Sequence, residues 1–418
     1  MTAIEFYDKA PVDNVVCALT TVPDKIIFIG DGKEMRRFEP AYRNFLQKRG
    51  LDVELEYRSI PRNSLSQLVA ELSTIVETET DCVFDLTGGE DLVLVAVGMV
   101  YQKYKDTHSV QLQRLNVLNG VLTDCDGDGL LNGRGNPALS VEESIALHGG
   151  VVRYEGDGHL GTYCWEITRD FEMDVELLWS VCRENPGLWN TQAGVLGGMN
   201  AFQMDEDDPL SISAELGELR DYLAARGTQY TAVNELLRFL QTYGLIEDLE
   251  DDGNRLIFAY KNEQVKRCLT KAGTVLELMV FLTARRLTGK DGQAWYNDSM
   301  NGVFIDWDGD LHQRTDAEKD TENEIDVVLM QGLRSVFVSC KNGYVDDDEL
   351  YKLDAVANRF GGKYAKKVLV ATYLGKADEN SKQHFRQRAT DMKIHLVEGV
   401  HELDDAQFER MVRHLING

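Results

Sequence analysis

Residues 81–104, DCVFDLTGGEDLVLVAVGMVYQKY, run an apolar segment into the glycine turn Thr87-Gly88-Gly89 and then into a second, longer apolar segment. The first run is short enough for a strand buried on both faces, and the second has the length of a helix. Upstream, the same alternation recurs in NVVCAL from Asn14, in DKIIFIG, in a helical pattern near Phe38 to Lys48, in VELEYRSI and in a helical pattern near Leu65 to Val76. Continuous apolar strands joined by amphipathic crossovers predict an α/β, Rossmann-like parallel sheet. In such sheets ligands sit beyond the carboxyl ends of the strands. Gly30-Asp31-Gly32 and Thr87-Gly88-Gly89 are the two glycine-rich strand ends. Glycine admits close backbone approach, a following helix offers free N–H groups, and Thr87 adds a hydroxyl. Either cluster alone also reads as a turn without a ligand.

With 418 residues the chain exceeds what one core normally supports, so two or three domains are expected. Hydrophobic residues at 43% and charged residues at 27% are ordinary for a folded protein. No apolar run reaches the length of a spanning helix and the N-terminus lacks a signal-like pattern, so a cytoplasmic protein without a membrane partner is expected. The seven cysteines are scattered without CxxC spacing, which points to reduced thiols rather than a disulfide framework or zinc. A formal net charge of −26 opposes general nucleic-acid affinity. The acid is unevenly spread, however, and from Tyr351 to Gly418 there are 12 Lys/Arg against 9 Asp/Glu.

Thr123 to Gly129 resembles the opening of a calcium loop, but the twelfth position is Gly135 rather than glutamate, so an acidic hairpin turn is expected. From Val151 to Asn200 the pattern is mixed, with strand-like VVRYE and TYCWEIT and a helix around Val175 to Arg183. Two helices, AELGELRDYLAARG and TAVNELLRFLQTYG, then precede a hairpin that turns at Asp252-Gly253-Asn254. That order is winged-helix-like. Its second helix carries one arginine and its wing is acidic, so a structural or dimerisation role is favoured over nucleic-acid contact.

In GTVLELMVFLTARRL, from Gly273, Glu277 is the lone carboxylate inside an apolar helix. Burial there requires a proton, a partner or a cation. Further on, NEIDVVL and SVFVSCK flank a short turn and predict a hairpin. Period two puts Glu324 and Asp326 on one face of the first strand, and Ser339 and Lys341 on one face of the second. Carboxylates that hold a hard cation beside a fixed lysine are what metal-dependent phosphodiester cleavage needs. Glu277, Asp326 and Lys341, with Glu324 as a further carboxylate, are therefore the candidate catalytic residues.

The order Gly273-x-x-x-Glu277, Asp326 and Ser339-Cys340-Lys341, followed by helix, strand, helix and strand, resembles the PD-(D/E)xK restriction-endonuclease-like core. The resemblance implies Asp326, Glu277 and the backbone carbonyl of Cys340 as ligands to Mg or Mn. It departs from the family pattern at Ser339, where a carboxylate belongs, and Glu277 or Glu324 would compensate. Combined with the Rossmann-like start, the whole chain resembles the CARF-domain nucleases of type III CRISPR systems. That implies a CARF nucleotide-sensing domain over 1–145, a connecting and winged-helix-like region over 146–265, and a PD-(D/E)xK nuclease domain over 266–418. It further implies a homodimer that binds cyclic oligoadenylate, with cyclic tetra-adenylate as the expected activator, near Thr20, Asp31, Thr87, Gly88 and Gly89. Binding would activate cleavage of DNA, RNA or both. Two other readings stay open at this point: a nucleotide-sensing DNA-binding regulator with a degenerate nuclease fold, and a restriction or repair nuclease with no second messenger.

Overall fold

The computed structural model describes residues 1–60, 63–127, 137–156, 160–205, 207–309, 322–376 and 378–417. Its first sheet uses β1 (Thr2–Phe6), β2 (Lys25–Gly30), β3 (Glu54–Ser59), β4 (Asp81–Asp85), β5 (Ser109–Asn116) and β6 (Val121–Asp124). The order is β3-β2-β1-β4-β5-β6, parallel except for β6, which pairs antiparallel with β5. Every residue of β1 is buried, as expected of a strand central to a covered sheet.

The helices α1 (Val16–Thr20), α2 (Gly32–Lys48), α3 (Leu65–Thr78) and α4 (Asp91–Tyr104) connect these strands. One face packs Ile4, Ile27 and Phe84 against Leu68, Leu72, Val97 and Val100 of α3 and α4. The opposite face packs Phe28 against Phe38 and Tyr42 of α2. Chain order reverses direction between β1 and β4, and the crevice beyond their carboxyl ends is the switch point where such sheets take ligands.

Two expectations fail here. The run NVVCAL is helical, spanning a 3₁₀ turn at Asp13–Val15 and α1, and the true first strand is TAIEF. A short apolar run does not distinguish strand from helix, and NVVCAL is buried on all sides either way. Likewise α2 begins at Gly32 rather than near Phe38, because Asp31 caps the N–H groups of Lys33 and Glu34.

After α5 (Val141–Leu147) comes β7 (Val151–Arg153), then α6 (Arg169–Glu184) and α7 (Pro186–Met199). TYCWEIT, read as strand-like, contributes only an isolated bridge at Thr162, to Tyr154. A four-stranded sheet follows, made of β8 (Gln203–Asp205), β9 (Asp208–Glu215), β10 (Ile246–Asp251) and β11 (Arg255–Tyr260) in the order β10-β11-β9-β8. Helices α8 (Leu216–Ala224) and α9 (Asn234–Thr242) lie between β9 and β10, in the expected helix, helix, hairpin order. The calcium-like segment lies partly outside the described residues. Its described part begins in β6, where Thr123 and Asp124 pair with Arg114 and Gln113 of β5.

The C-terminal part contains α10 (Glu263–Thr270), α11 (Thr274–Arg286), β12 (Asp298–Asp306), β13 (Glu322–Gln331), β14 (Arg334–Lys341), α12 (Asp348–Phe360), β15 (Lys366–Ala371), α13 (Glu379–Asp391), β16 (Ile394–Val397) and α14 (Asp405–His414). Its sheet runs β16-β15-β14-β13-β12-β7, with β7 supplied from far upstream. Side chains alternate along the hairpin. Val327, Leu329, Val336 and Val338 join the core containing α6, α11 and α14, while Val328, Met330 and Phe337 join the core beneath α5 and α12.

The second of these cores is continuous with the α2 face of the first sheet. A polar contact reinforces that junction. Asp13, fully buried, accepts hydrogen bonds from the Lys363 ammonium and from the Tyr364 hydroxyl at 2.9 Å, both just beyond α12.

Candidate active site

Helix α11 buries eleven of its thirteen residues, Glu277 among them. The Gly273-x-x-x-Glu277 spacing has a steric cause: a Cβ at position 273 would lie 2.8 Å from Glu277 Oε1, one helical turn on. Glycine thus keeps open the space that the carboxylate occupies. Among the described residues no hydrogen-bond donor reaches that carboxylate. Burial first, and then the Asp326 carboxylate, push Glu277 up to about 8.

Asp326 lies on β13 and Lys341 ends β14. Asp326 Oδ2 accepts the Cys340 N–H at 2.6 Å and the Ser339 hydroxyl at 3.3 Å, and it stands 3.9 Å from Lys341 Nζ. The expected two-strand convergence is present, and Ser339, which stands where the family pattern has a carboxylate, donates to Asp326. Burial also raises the Asp326 carboxyl, against the pull of Lys341. Lys341 is held on its other side by Glu349 at 3.0 Å, from the first turn of α12. Glu324, one pleat before Asp326, pairs with Lys271 at 2.9 Å.

Glu277, Glu324, Asp326 and Lys341 are therefore close enough to shape one another's charge. Glu277, Glu324 and Asp326 do not, however, bring their oxygens within 4.8 Å of one another as a trio. Carboxylates raised first by burial and then by neighbouring acid, one of them without a donor, fit a divalent cation, which would offset their charge. The Cys340 backbone carbonyl belongs to the same strand end as Lys341.

Sequence reasoning missed Lys271 and Glu349. Lys271 lies in the linker between α10 and α11, and Glu349 opens α12. The usable signal was a charge flanking each motif: a cation two residues before Gly273 and an acid in the helix after the lysine strand.

The candidate nucleotide residues divide. Thr87 and Gly88 sit at the β1/β4 switch point, where the Thr87 N–H donates to Asp85 Oδ1 at 2.7 Å and the Thr87 hydroxyl accepts the Leu115 N–H at 2.9 Å. A Cβ at Gly88 would approach the side chains of Asp8 and Asp13 to 3.2 and 3.4 Å, so glycine lets the two loops touch. Gly89 lines a small cavity of about 20 Å³ with Phe6, Ile29 and Gly30.

Asp31 follows β2, the strand on the far side of β1 from β4, and its carboxylate is the cap of α2. Thr20 is a correction. It ends helix α1 rather than a strand, it is buried, and its hydroxyl donates to the Val16 carbonyl at 2.7 Å.

Beneath Thr87 lies a cluster of metal-type donors, Glu5, Cys17 and Asp85, the only one of its kind among the described residues to close within 4.8 Å. Its members bond to one another and to Gln113 and Thr87. Cys17 Sγ donates to Asp85 at 3.2 Å, Gln113 Nε2 donates to Asp85 at 2.8 Å, and the Cys17 N–H donates to Glu5 at 3.1 Å. Burial drives the Glu5 carboxyl and the Cys17 thiol well above their ordinary values, so the cluster is held together by protons.

Over residues 263–412 the chain matches the model of the Card1-like endonuclease domain. The C-terminal part is thus similar to a Card1-like endonuclease domain. Glu277, Asp326 and Lys341 all fall inside it. Among solved structures, protein VC1899 from Vibrio cholerae superposes with a TM-score of 0.70 at 19% identity, covering 100% of this chain and 97% of that one. Can2 from Sulfobacillus thermosulfidooxidans, solved in complex with cyclic tetra-adenylate, superposes with a TM-score of 0.64 at 15% identity, again over 100% and 97%. These likenesses extend the shared fold from the endonuclease domain to the whole chain. Comparison with curated protein sequences finds no match. No helix among the described residues is long and apolar enough to cross a membrane.

Proposed function

We propose that this chain is a metal-dependent endonuclease that cyclic oligoadenylate switches on, cutting DNA, RNA or both in type III CRISPR antiviral defence. The observation that carries this reading is the convergence of Glu277, Asp326 and Lys341 within the Card1-like endonuclease domain. Glu277, Asp326 and the Cys340 carbonyl would hold Mg or Mn, with Glu324 as a reserve carboxylate. Such a cation supplies a nucleophilic hydroxide near neutral pH and charge relief at the phosphate. Lys341, steadied by Glu349, orients the attacking water or offsets charge on the phosphate as it becomes pentacovalent.

The activator site is assigned to Thr87, Gly88 and Gly89 at the switch point, with Asp31 at its margin. Can2, which shares the fold, was solved with cyclic tetra-adenylate, and that supports the same ring here. The cavity of one chain is far smaller than such a ring, which favours a site shared across the two-fold axis of a homodimer. Residues 1–145 would be the sensing part and 266–418 the cutting part. The helical and hairpin region between them would serve as a structural spacer.

The test is cleavage of labelled DNA and RNA with Mg or Mn, with and without cyclic tetra-adenylate, alongside Asp326→Ala and Lys341→Ala. Cutting should need both metal and activator and should vanish in either variant. Unchanged cutting by Asp326→Ala would sink the assignment. Sedimentation of the chain tests the dimer separately.

A further inference from the structure

Next to Glu277 lies a cavity of about 440 Å³ whose walls include Tyr163, Trp165, Arg267, Lys271, Asn301 and Glu324. We propose that this cavity is a nucleotide subsite, in which Tyr163 and Arg267 stack one unpaired base while Lys271 holds an adjoining phosphate. The proposal rests on the nuclease reading and deepens it by naming what grips the strand beside the scissile bond.

The chemistry of the walls is specific. The Arg267 guanidinium lies 3.9 Å from the centre of the Tyr163 ring. Its Nη2 donates to Glu155 at 2.8 Å and its Nε to Glu263 at 3.0 Å. Those carboxylates would repel a phosphate brought to the same edge, so what Arg267 offers a nucleic acid is its flat face. Stacking of bases on aromatic and guanidinium planes is how proteins commonly hold unpaired strands.

The platform is also rigid. Tyr163 meets Trp165 edge-on at 4.8 Å, and Trp165 stacks on Phe171 at 5.4 Å. The Trp165 indole N–H donates to Asn301 at 2.9 Å, and Asn301 donates to the Asp326 carbonyl at 3.0 Å. A chain of direct contacts therefore fixes the platform relative to the carboxylate strand.

Lys271 differs from Arg267. It is exposed, and its hydrogen-bonded partner is Glu324. Lys271 lines the cavity, and an exposed, compact ammonium suits a phosphate oxygen. A volume of about 440 Å³ accommodates one nucleotide and falls at the lower end of ligand-site sizes.

The test compares binding of fluorescent oligothymidylate with that of its abasic counterpart, by anisotropy, with Ca present so that no turnover is needed. The wild-type chain should favour the base-bearing strand by roughly tenfold. Tyr163→Ala should erase that preference, Tyr163→Phe should keep it, and Lys271→Met should weaken both strands alike. Equal binding of the two strands by the wild type, or a preference that survives Tyr163→Ala, would overturn the subsite. Because cutting is not read, a chain that showed the preference and yet cleaved nothing would refute the nuclease reading while supporting the subsite. An oligouridylate arm separates RNA from DNA as the preferred occupant.

Discussion

Replacing Asp326 by asparagine should abolish cutting and, without metal, leave the protein slightly more stable. The substitution is nearly isosteric. The new amide oxygen can still accept the Cys340 N–H at 2.6 Å and the Ser339 hydroxyl, so neither of those donors is orphaned. What disappears is charge beside Glu277, whose carboxyl is held at about 8 instead of 4.5 by burial and, next, by Asp326.

A carboxyl raised in the folded state costs no stability below its unfolded value. The cost grows as pH climbs towards the folded value. At pH 7 that amounts to about 3 kcal/mol for Glu277, burial being the larger cause and the Asp326 charge the next. Chemical denaturation with a chelator at pH 7 should therefore find Asp326→Asn at least as stable as wild type. The gap should narrow at pH 5. Metal should stabilise the wild type and not the variant, and cleavage should fall at least roughly 100-fold. A variant that is less stable at pH 7 yet cuts normally would refute both the electrostatic account and the role given to Asp326.

Because Glu277 must lose its proton to hold a cation, the half-saturating Mn concentration for cleavage should fall as pH rises from 6 to 8, and Glu277→Gln should flatten that dependence. Gly273→Ala should displace the Glu277 carboxylate, raising the metal requirement about tenfold with little change in melting temperature; an unaltered metal titration would contradict the steric explanation. Asp13→Asn weakens the bond from the nucleotide-side loop to Lys363 and Tyr364, so cyclic tetra-adenylate should still bind while activating cleavage less. An activation ratio equal to wild type would remove Asp13 from the coupling.

The long, strongly patterned parts of the chain were legible. The apolar run behind Thr87, the helix around Glu277 and the NEIDVVL/SVFVSCK hairpin all form as expected, because their periodicity is satisfied by the packing that buries them. NVVCAL was misread because its apolar residues, four of them buried in a row, carry no period. TYCWEIT alternates like a strand, but it is spent on an aromatic platform, with Trp165 against Phe171 and Asn301. Thr20 was misplaced with the helix that holds it. Lys271, Glu349 and Arg267 were invisible for a different reason: each matters through a partner 53, 8 or 112 residues away in sequence, and only folding brings such pairs together.

The matched endonuclease domain begins at residue 263, yet the outer rung of its sheet is residues 151–153, paired with Phe304, Ile305 and Asp306. A fragment cut out at the domain's apparent start would leave part of β12 as a bare edge, and bare edges recruit other strands. The cutting part is therefore not a portable cassette. Lineages that shuffle it between proteins must carry along a three-residue stub from more than a hundred positions upstream, or evolve a substitute for it.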